Sequence, residues 1–240
     1  MGLFWRKDYL DLVLVPSGLF LMFGYHLFLL YRYIKFPETT IMGFENHNKR
    51  AWVERMLKDD VKDRGPVISV ISSNISAATS LSSISLVLSS LIGAWIGSSS
   101  ANIFRSNFVY GSIDSSIVFI KYIALLSCFL VAFACFVQTT RYFVHASFLI
   151  SMPNSDIPVR YVENEVMRGS NFWFIGMRSL FFAMNLLIWI FGPIPMFICS
   201  VFTVGVLLNL DRNSTPLHQY KPLVNHDLQK IGQEETAVTN

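Results

Sequence analysis

The chain has 240 residues, of which 52% are hydrophobic and 15% charged, with a formal net charge of +3. Soluble globular domains carry about 25% charged residues, so the composition excludes an ordinary soluble fold, and so small a net charge excludes nucleic acid as the partner. All three cysteines (Cys128, Cys135, Cys199) fall in apolar sequence, where they read as small packing residues and leave no loop disulfide framework.

Four apolar stretches run at about 9–31, 67–97, 116–138 and 180–209. Each has the ~20 residues a helix needs to cross a ~30 Å hydrocarbon layer, and none alternates as a barrel strand does. The expected fold is an all-α membrane protein, a four-transmembrane-helix bundle over 1–210. Cytosolic loops at 32–66 and 139–178 would carry amphipathic helices, and a polar tail at 211–240 would be disordered. Of the 19 Lys and Arg residues, twelve fall in the two loops and seven elsewhere. The positive-inside rule then puts the loops in the cytosol and both termini on the other side. The setting is a multi-pass position in the plasma membrane or an endomembrane, with the first stretch acting as a signal anchor.

Span 1 contains Pro16-Ser17-Gly18, a candidate interruption, with Asp11 near its start and His26 deeper. The first loop places Lys49, Arg50 and Arg55 around Trp52, in a pattern that reads as a basic amphipathic helix lying on the bilayer. Arg50, Trp52, Arg55, Arg141 and Arg178 are the candidates for an anionic lipid headgroup site, against the plainer reading of a solvated face that only sets topology.

Span 2 is the unusual one, with ten serines between Ser69 and Ser90. Ser69, Ser73, Ser76, Ser80, Ser83 and Ser90 recur at steps of three and four, with Val87 filling the one gap and Asn74 beside them. A second seam runs through Ser72, Thr79, Ser82 and Ser89, and the helix ends in Gly93-x-x-x-Gly97. Small residues let membrane helices approach closely, so span 2 is expected in the middle of the bundle. Ser73, Asn74, Ser76, Ser80, Ser83, Gly93 and Gly97 either pack helices, between protomers of a homo-oligomer among other places, or line a hydrated path. A serine hydroxyl can also return to the carbonyl one turn earlier and need no water.

Span 3 begins near Lys121, which can snorkel, and emerges at Gln138, Arg141 and His145. Span 4 holds Asn185 and then Gly192-Pro193-Ile194-Pro195, where Gly192, Pro193 and Pro195 predict a kink. Asn213-Ser214-Thr215 is a glycosylation sequon just beyond it, with Pro216 following. No catalytic motif is present, so an enzyme is not expected. His47, His145, Glu163 and Glu165 supply no local ligand pair, and no metal or other cofactor is expected.

Several runs carry a resemblance. They are Asn46-His47-Asn48-Lys49-Arg50-Ala51-Trp52-Val53-Glu54-Arg55, Arg141-Tyr142-Phe143-Val144-His145-Ala146, Met152-Pro153-Asn154-Ser155, Arg168-Gly169-Ser170-Asn171-Phe172-Trp173 and Trp189-Ile190-Phe191-Gly192-Pro193-Ile194-Pro195-Met196-Phe197. With them the chain resembles an uncharacterised plant multi-span membrane-protein family catalogued only as a domain of unknown function. Members carry an Arg-Asn pair near the start of span 2, where this chain has Ser73-Asn74. The resemblance implies a four-span membrane protein and no activity. Two functions remain open: a membrane-embedded interaction or scaffold protein, and a subunit of a small-solute or ion channel or transporter that uses span 2 and the broken span 4.

Overall fold

The computed structural model describes residues 7–58, 64–97, 115–152 and 158–220. Six α-helices follow in chain order: α1 Lys7–Lys35, α2 Ile41–Lys58, α3 Gly65–Gly97, α4 Ser115–Ser151, α5 Val159–Trp189 and α6 Pro193–Leu210. A single 3-10 turn, Pro37–Thr39, separates α1 from α2. All but α2 are long and apolar enough to cross a membrane, so the described residues hold five candidate spans and not the four read from the sequence. Five apolar helices of this kind are compatible with a multi-pass membrane protein. Large side chains point outward, Phe20 at 79% and Phe202 at 71% exposure, on a surface unsuited to water.

The fourth apolar stretch is not one helix. α5 ends at Trp189, the chain turns at Gly192, and α6 returns antiparallel to it. Gly192 has φ 143° and ψ 169°, a region open essentially to glycine alone. Pro193 then opens α6, where a missing amide hydrogen costs nothing, and Pro195 lies in the same first turn. Paired side chains fix the hairpin: Asn185 Nδ2 lies 3.5 Å from Thr203 Oγ1, and Arg178 meets Asp211. The kink expected from Gly192, Pro193 and Pro195 is therefore a reversal of direction.

The expected loop at 139–178 is helical over most of its described length. α4 continues to Ser151 and α5 already begins at Val159. The 37 residues of α4 reach about 55 Å at 1.5 Å per residue, well beyond a ~30 Å hydrocarbon layer. A helix need not stop where its apolar character does. Here α4 and α5 keep packing, with Phe143 and Ile150 buried against Val162 and Val166, while Arg141 and Arg168 stay exposed.

The hairpin decides where the chain goes after α6. Ile41 N donates to Asp211 O (3.0 Å), Asn213 N to Thr39 O (3.1 Å) and the Tyr220 hydroxyl to Asn48 Oδ1 (2.8 Å). Residues 211–220 thus lie against α2, at the opposite end of the bundle from the start of α1. Four spans would leave the start of α1 and residues 211–220 at one end of the bundle, whereas these described residues stand at opposite ends, and 211–220, the first part of the tail expected to be disordered, are held against α2. Residues 221–240 lie outside the described residues.

In the bundle, α4 packs between α3 and α5, and α6 packs against α5 and α1. One apolar cluster (Val15, Leu125, Ala183, Leu186, Trp189, Met196) fills the end near the α5–α6 turn. A second (Val53, Ile71, Phe143, Ile150, Val166) fills the α2 end. α2 starts at Thr40, whose extended backbone and Oγ1 accepting from Gly43 N (3.2 Å) make it an N-cap. Gly43 is needed there because a Cβ would stand 2.0 Å from the Pro37 carbonyl oxygen. α1 is continuous through Pro16, with Ser17 Oγ donating to Val13 O (2.6 Å), so the candidate interruption in span 1 does not occur.

Candidate functional site

α3 does not sit in the middle of the bundle. Its inward face is Val67, Ile71, Ala78, Ser82, Ser85, Ser89 and Ile92, packed on α4. Ser73, Asn74, Ser76, Ser80 and Ser83 all point outward. The expectation failed because a serine can satisfy its own hydrogen. Ser80 Oγ donates to Ser76 O (2.9 Å), Ser83 Oγ to Thr79 O (3.0 Å) and Asn74 Nδ2 to Val70 O (3.0 Å). These local bonds remove the cost that would drive a polar helix inward, while leaving oxygen lone pairs exposed. Gly93 is exposed on the same helix, with no atom within 4 Å of a built Cβ, and Gly97 is the last residue of α3. The result is a hydroxyl-rich, close-approach face that the described residues leave uncovered.

The basic residues do not gather into one site. Arg50 pairs with Glu163 (3.2 Å), and Arg55 lies 4.7 Å over the Tyr220 ring. Trp52 is half-buried against the α2-end cluster. Arg178 turns inward to Asp211. Arg141 lines a cleft between α4 and α5. Nor do the four potential ligand residues converge. The His47 ring meets the His218 carbonyl, His145 pairs with Glu165 (3.2 Å), and Glu163 is taken by Arg50. Asn213 donates to Glu38 O and Thr215 O (both 2.8 Å), so it anchors the returning chain beside α2 instead of standing out as a free sequon.

What the sequence did not disclose is a polar interior along α1, α5 and α6. At one end Asp11 and Lys121 form a 3.9 Å pair, each side chain 5% exposed, with Trp189 Nε1 donating to Asp11 Oδ1 (3.0 Å). Further along, Ser200, Thr203 and Asn185 are buried between the helices, and the His26 ring is bonded to Met22 O (2.7 Å). At the α2 end the Tyr25 hydroxyl and Arg178 both donate to Asp211. Arg178 Nη1, His26 Nε2 and Asn185 Oδ1 are buried without a hydrogen-bond partner among the described residues. Bonded partners among them lie up to 186 positions apart in sequence, so no local pattern announces them.

A third junction joins α2 to α5. Asn46 Nδ2 contacts Tyr33 Oη (3.1 Å) and Asn171 Oδ1 (3.4 Å), and Lys49 Nζ donates to Ser170 Oγ (2.7 Å). Two of the runs that carried the resemblance, 46–55 and 168–173, thus meet each other. Comparison with curated proteins and with solved structures returns no match. The family described as "Protein of unknown function, DUF599" matches residues 13–216. That match takes in the five candidate spans almost entirely, the α2–α5 junction and the Gly192 reversal, and the chain belongs to the DUF599 family.

Proposed function

We propose that this protein is a membrane-embedded interaction or scaffold protein whose contact surface is the outer face of α3. The observation that carries the reading is the outward direction of Ser73, Ser76, Ser80 and Ser83 on a helix that uses its other face for α4. Lipid tails gain nothing from hydroxyls, whereas a second helix gains close packing and interhelical hydrogen bonds, worth about 0.6 kcal/mol each. A plant source, which rests on the sequence resemblance, and a position in the plasma membrane or an endomembrane belong to the same reading.

A transport function is the second reading, and it now rests on the polar interior instead of on α3. Asp11, with Lys121 of α4 beside it, and then Ser200, Asn185, His26 and Asp211 follow one another along the α1–α5–α6 contact. One experiment separates the two. Purified protein is reconstituted into vesicles, and proton and ion flux is recorded alongside chemical cross-linking. The interaction reading expects flux equal to empty vesicles and cross-linked species that disappear in the triple variant Ser76→Leu, Ser80→Leu, Ser83→Leu. Flux above empty vesicles that is lost in Asp211→Asn would establish transport instead.

A further inference from the structure

We propose that the cleft between α4 and α5 at the α2 end binds the phosphate group of an anionic phospholipid. The proposal rests on the membrane setting of the reading above, and it holds whether the protein is a scaffold or a transporter. The cleft, of about 580 Å³, is lined by Arg141, Val144, His145, Phe148, Glu165 and Arg168. Register puts the two arginines opposite each other. Thr139 Oγ1 reaches Gly169 O (3.3 Å) and His145 reaches Glu165 (3.2 Å), so antiparallel counting brings Arg141 level with Arg168.

The charges do not cancel. Arg141 is hydrogen-bonded to the neutral Gln138 (3.5 Å) and leans over the Tyr142 ring. The single carboxylate of Glu165 is shared between His145 and Arg168, the latter at 3.8 Å and with its side chain 63% exposed. Two guanidinium forks facing one carboxylate leave donors for an oxyanion, and guanidinium is suited to paired contacts with phosphate. An adjoining cleft of about 310 Å³ shares His145, Glu165 and Arg168 and adds Tyr161 and Asn164, polar groups of the kind a headgroup engages.

Depth and surface select a lipid over a soluble anion. Along α4, Arg141 follows Lys121 by twenty residues, about 30 Å of helix and the thickness of a hydrocarbon layer. Lys121, Asp11 and Trp189 mark the far boundary, so the cleft stands at the opposite headgroup level. Val137, one turn inward from Arg141 on α4, and Ile175, two turns inward from Arg168 on α5, are 42% and 49% exposed and present carbon on the hydrocarbon side, where an acyl chain would continue from the bound phosphate.

The test measures lipid retained by detergent-purified protein, using native mass spectrometry after exchange into phosphatidylglycerol or phosphatidylcholine micelles. Arg141→Ala and Arg168→Ala are expected to lower retained phosphatidylglycerol by about fivefold each, the scale of one basic contact with a charged lipid surface. Arg50→Ala, whose partner is Glu163, is the control and should leave retention unchanged. Arg141→Lys and Arg168→Lys keep the charge and should retain most of the lipid, which separates loss of a site from loss of fold. Retention equal to wild type in both alanine variants, or the same loss in Arg50→Ala, would overturn the proposal. Complete displacement of lipid by millimolar inorganic phosphate, with phosphate itself retained, would reassign the cleft to a soluble anion and overturn the lipid assignment.

Discussion

Asp211 holds the α2 end together from a single position. Its carboxylate accepts from Arg178 and Tyr25, its carbonyl oxygen accepts from Ile41, and its own amide closes the last turn of α6 on Leu207. Removing one partner of a buried ion pair costs about 3–5 kcal/mol, whereas replacing both by apolar groups is often near neutral. Arg178 is 18% and Asp211 8% exposed at the side chain, so the lower end of that range applies. Asp211→Asn is therefore expected to destabilise by about 3 kcal/mol, and Tyr25→Phe, which forfeits one hydrogen bond, by about 1 kcal/mol. The double variant Arg178→Met, Asp211→Leu should recover most of the loss. Denaturant unfolding of the protein in detergent checks the order of the three. None of these contacts is visible at the residue level in sequence, where Asp211 is not singled out and Arg178 reads as a candidate for an anionic lipid headgroup.

At the scale of elements, α3 shows both what a sequence discloses and what it withholds. Its bounds, expected at 67–97 and found at Gly65–Gly97, follow from apolar length alone. Its buried face does not, because serine occurs on every side of the helix and only Ser82, Ser85 and Ser89 of those serines are buried, beside Val67, Ile71, Ala78 and Ile92. The α5–α6 hairpin was hidden for a related reason. Gly192-Pro193-Ile194-Pro195 is as consistent with a bend as with a reversal, and only the backbone of Gly192 distinguishes them. That backbone yields a prediction. Alanine at 192 must adopt a region that costs about 1–3 kcal/mol, while alanine at Gly205, also within the hairpin and with open space around it, is expected to be neutral or stabilising by up to about 1 kcal/mol. Thermal unfolding of Gly192→Ala and Gly205→Ala, compared with wild type, reads the difference; equal midpoints would mean the turn does not depend on this glycine.

For the whole molecule, the hairpin changes the charge asymmetry as well as the path of the chain. Among the described side chains, Arg32, Lys35, Lys49, Arg50, Arg55, Arg64, Arg141, Arg160, Arg168, Arg178 and Arg212 stand at the α2 end, and Lys121 stands at the other. Four spans left Arg212 on the sparsely charged side; five candidate spans bring it to the rich one, so the positive-inside rule is followed more closely by the structure than by the sequence reading. On that rule the α2 end is proposed to face the cytosol. The central claim is that α5 and α6 each cross and return the chain to α2. The most direct measurement is labelling by a membrane-impermeant maleimide in sealed vesicles, with Ser214→Cys, Met56→Cys and Ser116→Cys each placed in a background lacking Cys128, Cys135 and Cys199. The account predicts that Ser214→Cys and Met56→Cys label from one face and Ser116→Cys from the other; labelling of Ser214→Cys together with Ser116→Cys would contradict it and restore a single fourth span.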